Sequence, residues 1–213
     1  MKTDDLVSLL AAGVTPIDRW ALAKRFGIAV LIGVLGAGLL LVSTLGVRAD
    51  LAQVSVTATF WAKTAFPLSL AIGALLMVTR LGRPGMSSGY GGLLVSAAVA
   101  AVWLSGVYVL AVATPGTRVS MLLGKTWRVC VLNIMLLSIP GFIAVFWALR
   151  GLAPTRLALT GACGGLLAGS MATLVYCLHC PETGVPFWGV WYTLGMLLPT
   201  VIGAALGPRC LRW

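Results

Sequence analysis

The densest group of side chains able to do chemistry is the stretch Tyr176-Cys177-Leu178-His179-Cys180-Pro181-Glu182. It places two thiols, the chain's one imidazole and one of its five acids within six positions. Cysteine and histidine at this spacing can ligate copper or zinc, bound transiently, with Cys180, His179, Cys177, Glu182 and the more distant Cys130 as candidate ligands. The thiols can equally be oxidised to a disulfide in an oxidising compartment. Cys130 follows Lys125 and Arg128, and basic neighbours lower a thiol's pKa and raise its reactivity. Cys163 and Cys177 lie in apolar sequence and read as small packed hydrophobes, while Cys210 sits near the C-terminal end. Each polar residue of the group also has a structural reading. His179 can be a generic interfacial histidine and Glu182 a cap on the following helix. Lys63, inside an apolar run, can snorkel to a surface, and Asn133 can bond across helices.

These groups must be positioned by helices in an apolar solvent. The chain has 213 residues, of which 60% are hydrophobic and only 9% charged, too little polar surface to solvate a globule of this size. The expected fold is all-α, a polytopic bundle of six transmembrane helices at 26–47, 60–79, 89–113, 127–149, 157–178 and 188–206. The first run is preceded by acids and lacks a small-residue cleavage site, so it reads as a retained helix. Connectors are short and leave no room for a separate soluble domain. Glycines within the runs read as packing positions, and Trp188, Trp191 and Tyr192 as an interfacial aromatic belt.

The 15 Lys and Arg against 5 Asp and Glu would suggest nucleic acid in a soluble protein. Here the bases sit between apolar runs, and no basic-aromatic stripe appears, so they read as topology signals and direct nucleic-acid binding is excluded. With the N-terminus inside, Lys2, Arg19, Lys24, Arg25, Arg80, Arg83, Arg150, Arg156, Arg209 and Arg212 face the cytoplasm, against Arg48, Lys63, Arg118, Lys125 and Arg128 outside. That partition, 10 against 5, predicts N-in and C-in, in a bacterial inner membrane. The 48–59, 114–126 and 179–187 connections then face outward. Cys130 falls one turn into the fourth span at about the depth of Cys180, which favours pairing these two over Cys177 with Cys180.

Residues 1–25 form the one sizeable cytoplasmic piece. Thr3, Asp4 and Asp5 supply a cap and two acids where a helix dipole favours them, and Leu6, Val7, Leu9 and Leu10 make an apolar stripe. The spacing predicts a short amphipathic helix ending near Gly13, with a second start at Thr15, Pro16 and Asp18. Such a helix can lie on the inner leaflet or dock in a basic groove of a protein partner.

Three segments together resemble one family, the NrsF-type six-helix membrane anti-sigma factors of proteobacteria. They are Met1-Lys2-Thr3-Asp4-Asp5-Leu6 with Leu9-Leu10, Leu178-His179-Cys180-Pro181-Glu182 running on to Pro186-Phe187 and Trp191-Tyr192, and Leu206-Gly207-Pro208-Arg209 with Leu211-Arg212-Trp213. The resemblance implies a regulator without catalytic activity that holds a cytoplasmic extracytoplasmic-function sigma factor at the membrane and releases it under metal or oxidant stress. It further implies sigma-factor binding through Asp4, Asp5, Leu6, Leu9 and Leu10, and sensing thiols at Cys130 and Cys180. The chain then divides into a partner-binding segment 1–25, a transmembrane domain 26–208 and a tail 209–213. Because so short a segment covers only part of a sigma factor, the 80–88 and 150–156 loops or a second copy of the chain would add contacts. Two other functions fit the composition. A membrane thiol-disulfide oxidoreductase needs a second cooperating cysteine pair, and a metal transporter needs polar groups along a path.

Overall fold

The computed structural model describes residues 3–12 and 20–212, the Leu10 side chain excepted. Gly13, Thr15, Pro16 and Asp18, the expected helix end and second start, lie outside the described residues.

Thr3–Ala12 forms α1, with Asp4 and Asp5 in its first turn. Ala21–Leu40 forms α2 and runs into one π-helical turn, Leu41–Leu45. A short α3, Leu51–Val54, precedes α4, Ala58–Leu81, whose first turn is capped by the Thr57 hydroxyl accepting from the Phe60 amide. Gly91–Val112 is α5, and a 3₁₀ turn at Pro115–Thr117 leads into α6, Arg118–Leu123. Trp127–Arg150, Leu157–Tyr176 and Val185–Cys210 are α7, α8 and α9. The all-helical expectation holds among the described residues, and α2, α4, α5, α7, α8 and α9 are each long and apolar enough to cross a membrane. All six expected runs are found. Two connections expected as plain loops instead carry α3 and α6, pieces too short for periodicity to separate from turns.

The centre is α8, flanked by α4, α7 and α9. Its glycines explain why a helix can be so enclosed. Cβ atoms at Gly161 and Gly165 would run into the backbones of Gly203 and Pro199, so α8 and α9 meet main chain to main chain. In contrast, α5 lies at the margin against α4 and α9, and its buried residues are only Gly91 and Gly106. Pro67, Pro140 and Pro199 each interrupt the amide ladder within a long helix. Two seat against glycines, Pro140 at Gly36 and Pro199 at Gly169.

The two ends of the bundle differ in chemistry. At one end, Arg25 donates to the Trp147 carbonyl (2.9 Å) and packs on Gly151, and Arg150 donates to the Cys210 carbonyl (3.2 Å). Arginines thus satisfy carbonyls that helix C-termini leave without partners. The opposite end holds Cys130, Cys177 and Cys180.

Candidate functional site

The site begins where α8 stops. The Cys177 amide still donates to the Thr173 carbonyl, but the His179 and Cys180 amides both return to the Tyr176 carbonyl at 3.0 Å. That turn folds Cys180 back into the bundle. Cys130, in the first turn of α7, and Cys177 and Cys180 are all 0% exposed and belong to one cluster with Tyr176 and Tyr192. The Tyr176 hydroxyl lies beside Cys130 and Asn133. The Tyr192 hydroxyl is buried beside Cys177 and Cys180. All five cysteines are free thiols, and Cys163 is packed in the apolar core as expected.

Ties from outside α8 hold the 178–184 segment, among them the Arg48 amide donating to the Leu178 carbonyl at 3.2 Å and Trp188 Nε1 donating to the Thr183 carbonyl at 3.3 Å. Lys63 Nζ donates to the Cys180 and Glu182 carbonyls, both at 2.8 Å. Arg48 Nη1 donates to the same Cys180 carbonyl at 3.2 Å, while its Nε and Nη2 take the Asp50 carboxylate in a fork at 2.7 Å. Hydrogen bonding to Arg48 holds the Asp50 carboxyl below its ordinary range, and Asp50 raises Arg48. His179 Nδ1–H donates to the Gly46 carbonyl at 2.9 Å. Finally, the Lys125 amide donates to Glu182 Oε1 at 2.7 Å, from a turn made possible by Gly124 at φ +55. A Cβ there would press on the Glu182 carboxyl.

Several expectations change in this setting. Lys63 does not snorkel: it is 1% exposed, because two carbonyls and the face of Tyr192, 5.5 Å from Nζ, receive its donors inside the bundle. Arg128 stacks on Trp127, so the charges facing the thiols are Lys63 and, at Cys180, Arg48, not the bases preceding Cys130. Glu182 holds the 124–125 turn instead of capping α9. Trp188 and Tyr192 are core residues, not a belt, since α4 covers that face and Phe66 packs on Trp188 with ring centroids 5.8 Å apart. Trp191 donates to the Leu122 carbonyl at 2.9 Å and ties α6 to α9. Among the described residues, no three His, Cys, Asp or Glu side chains form a group that could hold a metal. Residue types did signal Lys63, a cation in an apolar run. Arg48, Tyr176 and Tyr192 carried no such signal.

At the other candidate surface, α1 presents exposed Asp4, Asp5, Leu6 (42%), Val7 (59%) and Leu9 (69%), while the Leu10 side chain lies outside the described set.

The family model described as negative regulator of sigma F matches residues 10–213. The chain belongs to this family. Among its relatives, a probable anti-sigma-F factor NrsF from Azospira oryzae is 43% identical over 213 residues, covering both chains completely. An anti-sigma-F factor NrsF from Caulobacter vibrioides is 36% identical over 215 residues, again the whole of both chains. No solved structure matches. Membership of the NrsF family makes the role regulatory and implies a sigma factor as partner.

Proposed function

We propose that this NrsF-family protein is an inner-membrane anti-sigma factor, N-in and C-in, that sequesters a cytoplasmic extracytoplasmic-function sigma factor. The observation that carries the reading is the full-length likeness to relatives named anti-sigma-F factors, on a chain with six membrane-length apolar helices. The sigma factor docks on α1, where Asp4 and Asp5 meet basic groups and Leu6, Leu9 and Leu10 enter an apolar groove. The 80–88 and 150–156 loops, or a second copy of the chain, extend the contact.

Release follows from stress chemistry outside the membrane at Cys130 and Cys180. The ties through Lys63, Arg48, His179 and Glu182 connect the 178–184 segment to α4, the 46–50 segment and the 124–125 turn. Covalent or coordinative change at Cys180 therefore biases the packing of several helices at once. A signal that prefers the releasing packing by about 1.4 kcal/mol changes the population ratio tenfold.

The test is capture of a candidate extracytoplasmic-function sigma factor by membranes carrying the full-length chain. Binding that depends on α1, and is lost after oxidant or metal treatment only while Cys130 and Cys180 are present, is the expected outcome. Equal capture by membranes lacking the protein refutes the proposal.

A further inference from the structure

Two adjoining cavities of about 370 and 390 Å³ run along the seam between α7 and α9. Leu132 lines both, which makes them one groove. It starts at Trp127, Arg128 and Trp191 and ends against Phe142, Pro199 and Ile202. At 1.5 Å per residue, Arg128 to Phe142 spans about 21 Å of α7, whereas half the hydrocarbon core of a bilayer measures about 15 Å. The groove is long enough for a complete acyl chain. Its head is cationic. Arg128 is exposed and stacks on Trp127, its guanidinium carbon 5.3 Å from the ring centroid, and Trp127 packs on Trp191 with centroids 5.4 Å apart. Among the described residues Arg128 makes no hydrogen bond or ion pair, so the five N–H donors of its guanidinium meet no protein acceptor. Neither acid at this end pairs with it: Asp50 is held by Arg48, and Glu182 reaches the Lys125 amide.

We propose that this groove binds one anionic phospholipid, its phosphate on the Arg128 guanidinium and one acyl chain between α7 and α9. The fork of a guanidinium matches two phosphate oxygens, and tryptophans beside it suit the level where headgroups meet hydrocarbon. The walls below decide between a lipid chain and a second copy of this protein. Helices meet in lipid through small residues or polar side chains, but here the walls carry Leu132, Leu136, Ile139 and Leu194, and no glycine or alanine lines them. Ser138, the one hydroxyl among them, donates to the Met135 carbonyl of its own helix at 2.7 Å. Large side chains with a gap between them hold another helix away and admit a thin, flexible chain. A zwitterionic phospholipid fits the same walls, but its own ammonium competes with Arg128 for the phosphate. The site rests on the bilayer setting and on neither sigma-factor capture nor thiol sensing.

The experiment uses full-length protein purified in detergent and stripped of lipid. It is titrated with dioleoyl phosphatidylglycerol or with phosphatidylcholine of the same chains, and bound lipids are counted by native mass spectrometry. Wild type should take one phosphatidylglycerol per chain at least about tenfold more tightly than phosphatidylcholine. Arg128→Met should lower phosphatidylglycerol binding about tenfold, to the phosphatidylcholine level, and Arg128→Lys should lower it less. Leu132→Trp, which fills the junction of the two cavities from an exposed position, should weaken both lipids alike. Arg83→Met, exposed at the other end of the bundle, should change neither. Equal binding of the two lipids by wild type, or a loss in Arg83→Met as large as in Arg128→Met, overturns the proposal. So does a lipid-free dimer that Leu132→Trp dissociates, which would give the groove to a second copy. Sigma-factor capture is read separately on the same preparations, and its failure in wild type refutes the anti-sigma reading while the lipid titration judges the groove independently.

Discussion

Replacing Gly165 by alanine tests the backbone contact on which the bundle depends. A Cβ at this position would strike the Pro199 carbonyl oxygen and lie 2.7 Å from the Pro199 carbonyl carbon and 2.9 Å from Thr200 Cα. All three are main-chain atoms of α9 and cannot turn aside. Carbon atoms prefer separations of about 3.5–4.0 Å, so α8 and α9 must part by roughly 1 Å. Overpacking alone costs about 1–3 kcal/mol. Parting also loosens the neighbouring contacts of Gly161 with Gly203 and of Gly169 with Met196, which puts the expected loss near the top of that range. Gly27→Ala is the internal control. It lies in α2 with no atom within 4 Å of the added Cβ, so helix propensity predicts a gain of up to about 1 kcal/mol. Both variants are unfolded by increasing SDS in mixed micelles, followed by the intrinsic fluorescence of the eight tryptophans. A Gly165→Ala protein within about 0.5 kcal/mol of wild type, or a Gly27→Ala protein equally destabilised, would refute the packing argument.

Four further outcomes are expected. Reporter fusions after Arg83, Arg156 and Trp213 should report cytoplasm, and those after Asp50, Gly116 and Gly184 the outside; the reverse pattern would move the thiol end into the cytoplasm and end the sensing proposal. Replacing Asp4 and Asp5 by Lys, or Leu6 and Leu9 by Ser, should lower sigma-factor capture about tenfold or more without affecting membrane insertion, and unchanged co-purification would make α1 a lipid anchor. Cys130→Ser and Cys180→Ser should each block the response with the sigma factor still bound, or release it constitutively, while Cys163→Ser and Cys210→Ser stay silent; a double Cys130/Cys180 variant that responds normally removes the sensor assignment. Because Arg48 holds the Asp50 carboxyl low, their pairing stabilises the 46–50 segment above the ordinary carboxylate range and is lost as pH falls through the lowered value. Asp50→Asn should abolish that acid-dependent step in hydrogen exchange of the Arg48 amide, and a step that persists in the variant would assign it to another group.

What was legible in the sequence, and what was not, divides along one geometric line. Apolar run length reveals depth along a helix axis, and depth was enough to find six long helices and put Cys130 in the first turn of α7 near the level of Cys180. It does not reveal which way a side chain faces around that axis. Trp188 and Tyr192 stand at the expected level but point inward, because α4 and α8 occupy that side. Lys63 is long enough to reach a surface, and only the turn that returns Cys180 to the Tyr176 carbonyl supplies the acceptors that keep it inside. Facing also decides how the thiols can work. Since all three near Lys63 are fully buried, no reagent reaches them until the 178–184 segment moves, and that segment is tied to α4, the 46–50 segment and the 124–125 turn. If these thiols act as proposed above, thiol chemistry and helix rearrangement are coupled: substitutions that cut a tie, such as Glu182→Ala, should raise thiol reactivity and sigma-factor release together, and separation of the two would show that the ties do not transmit the signal.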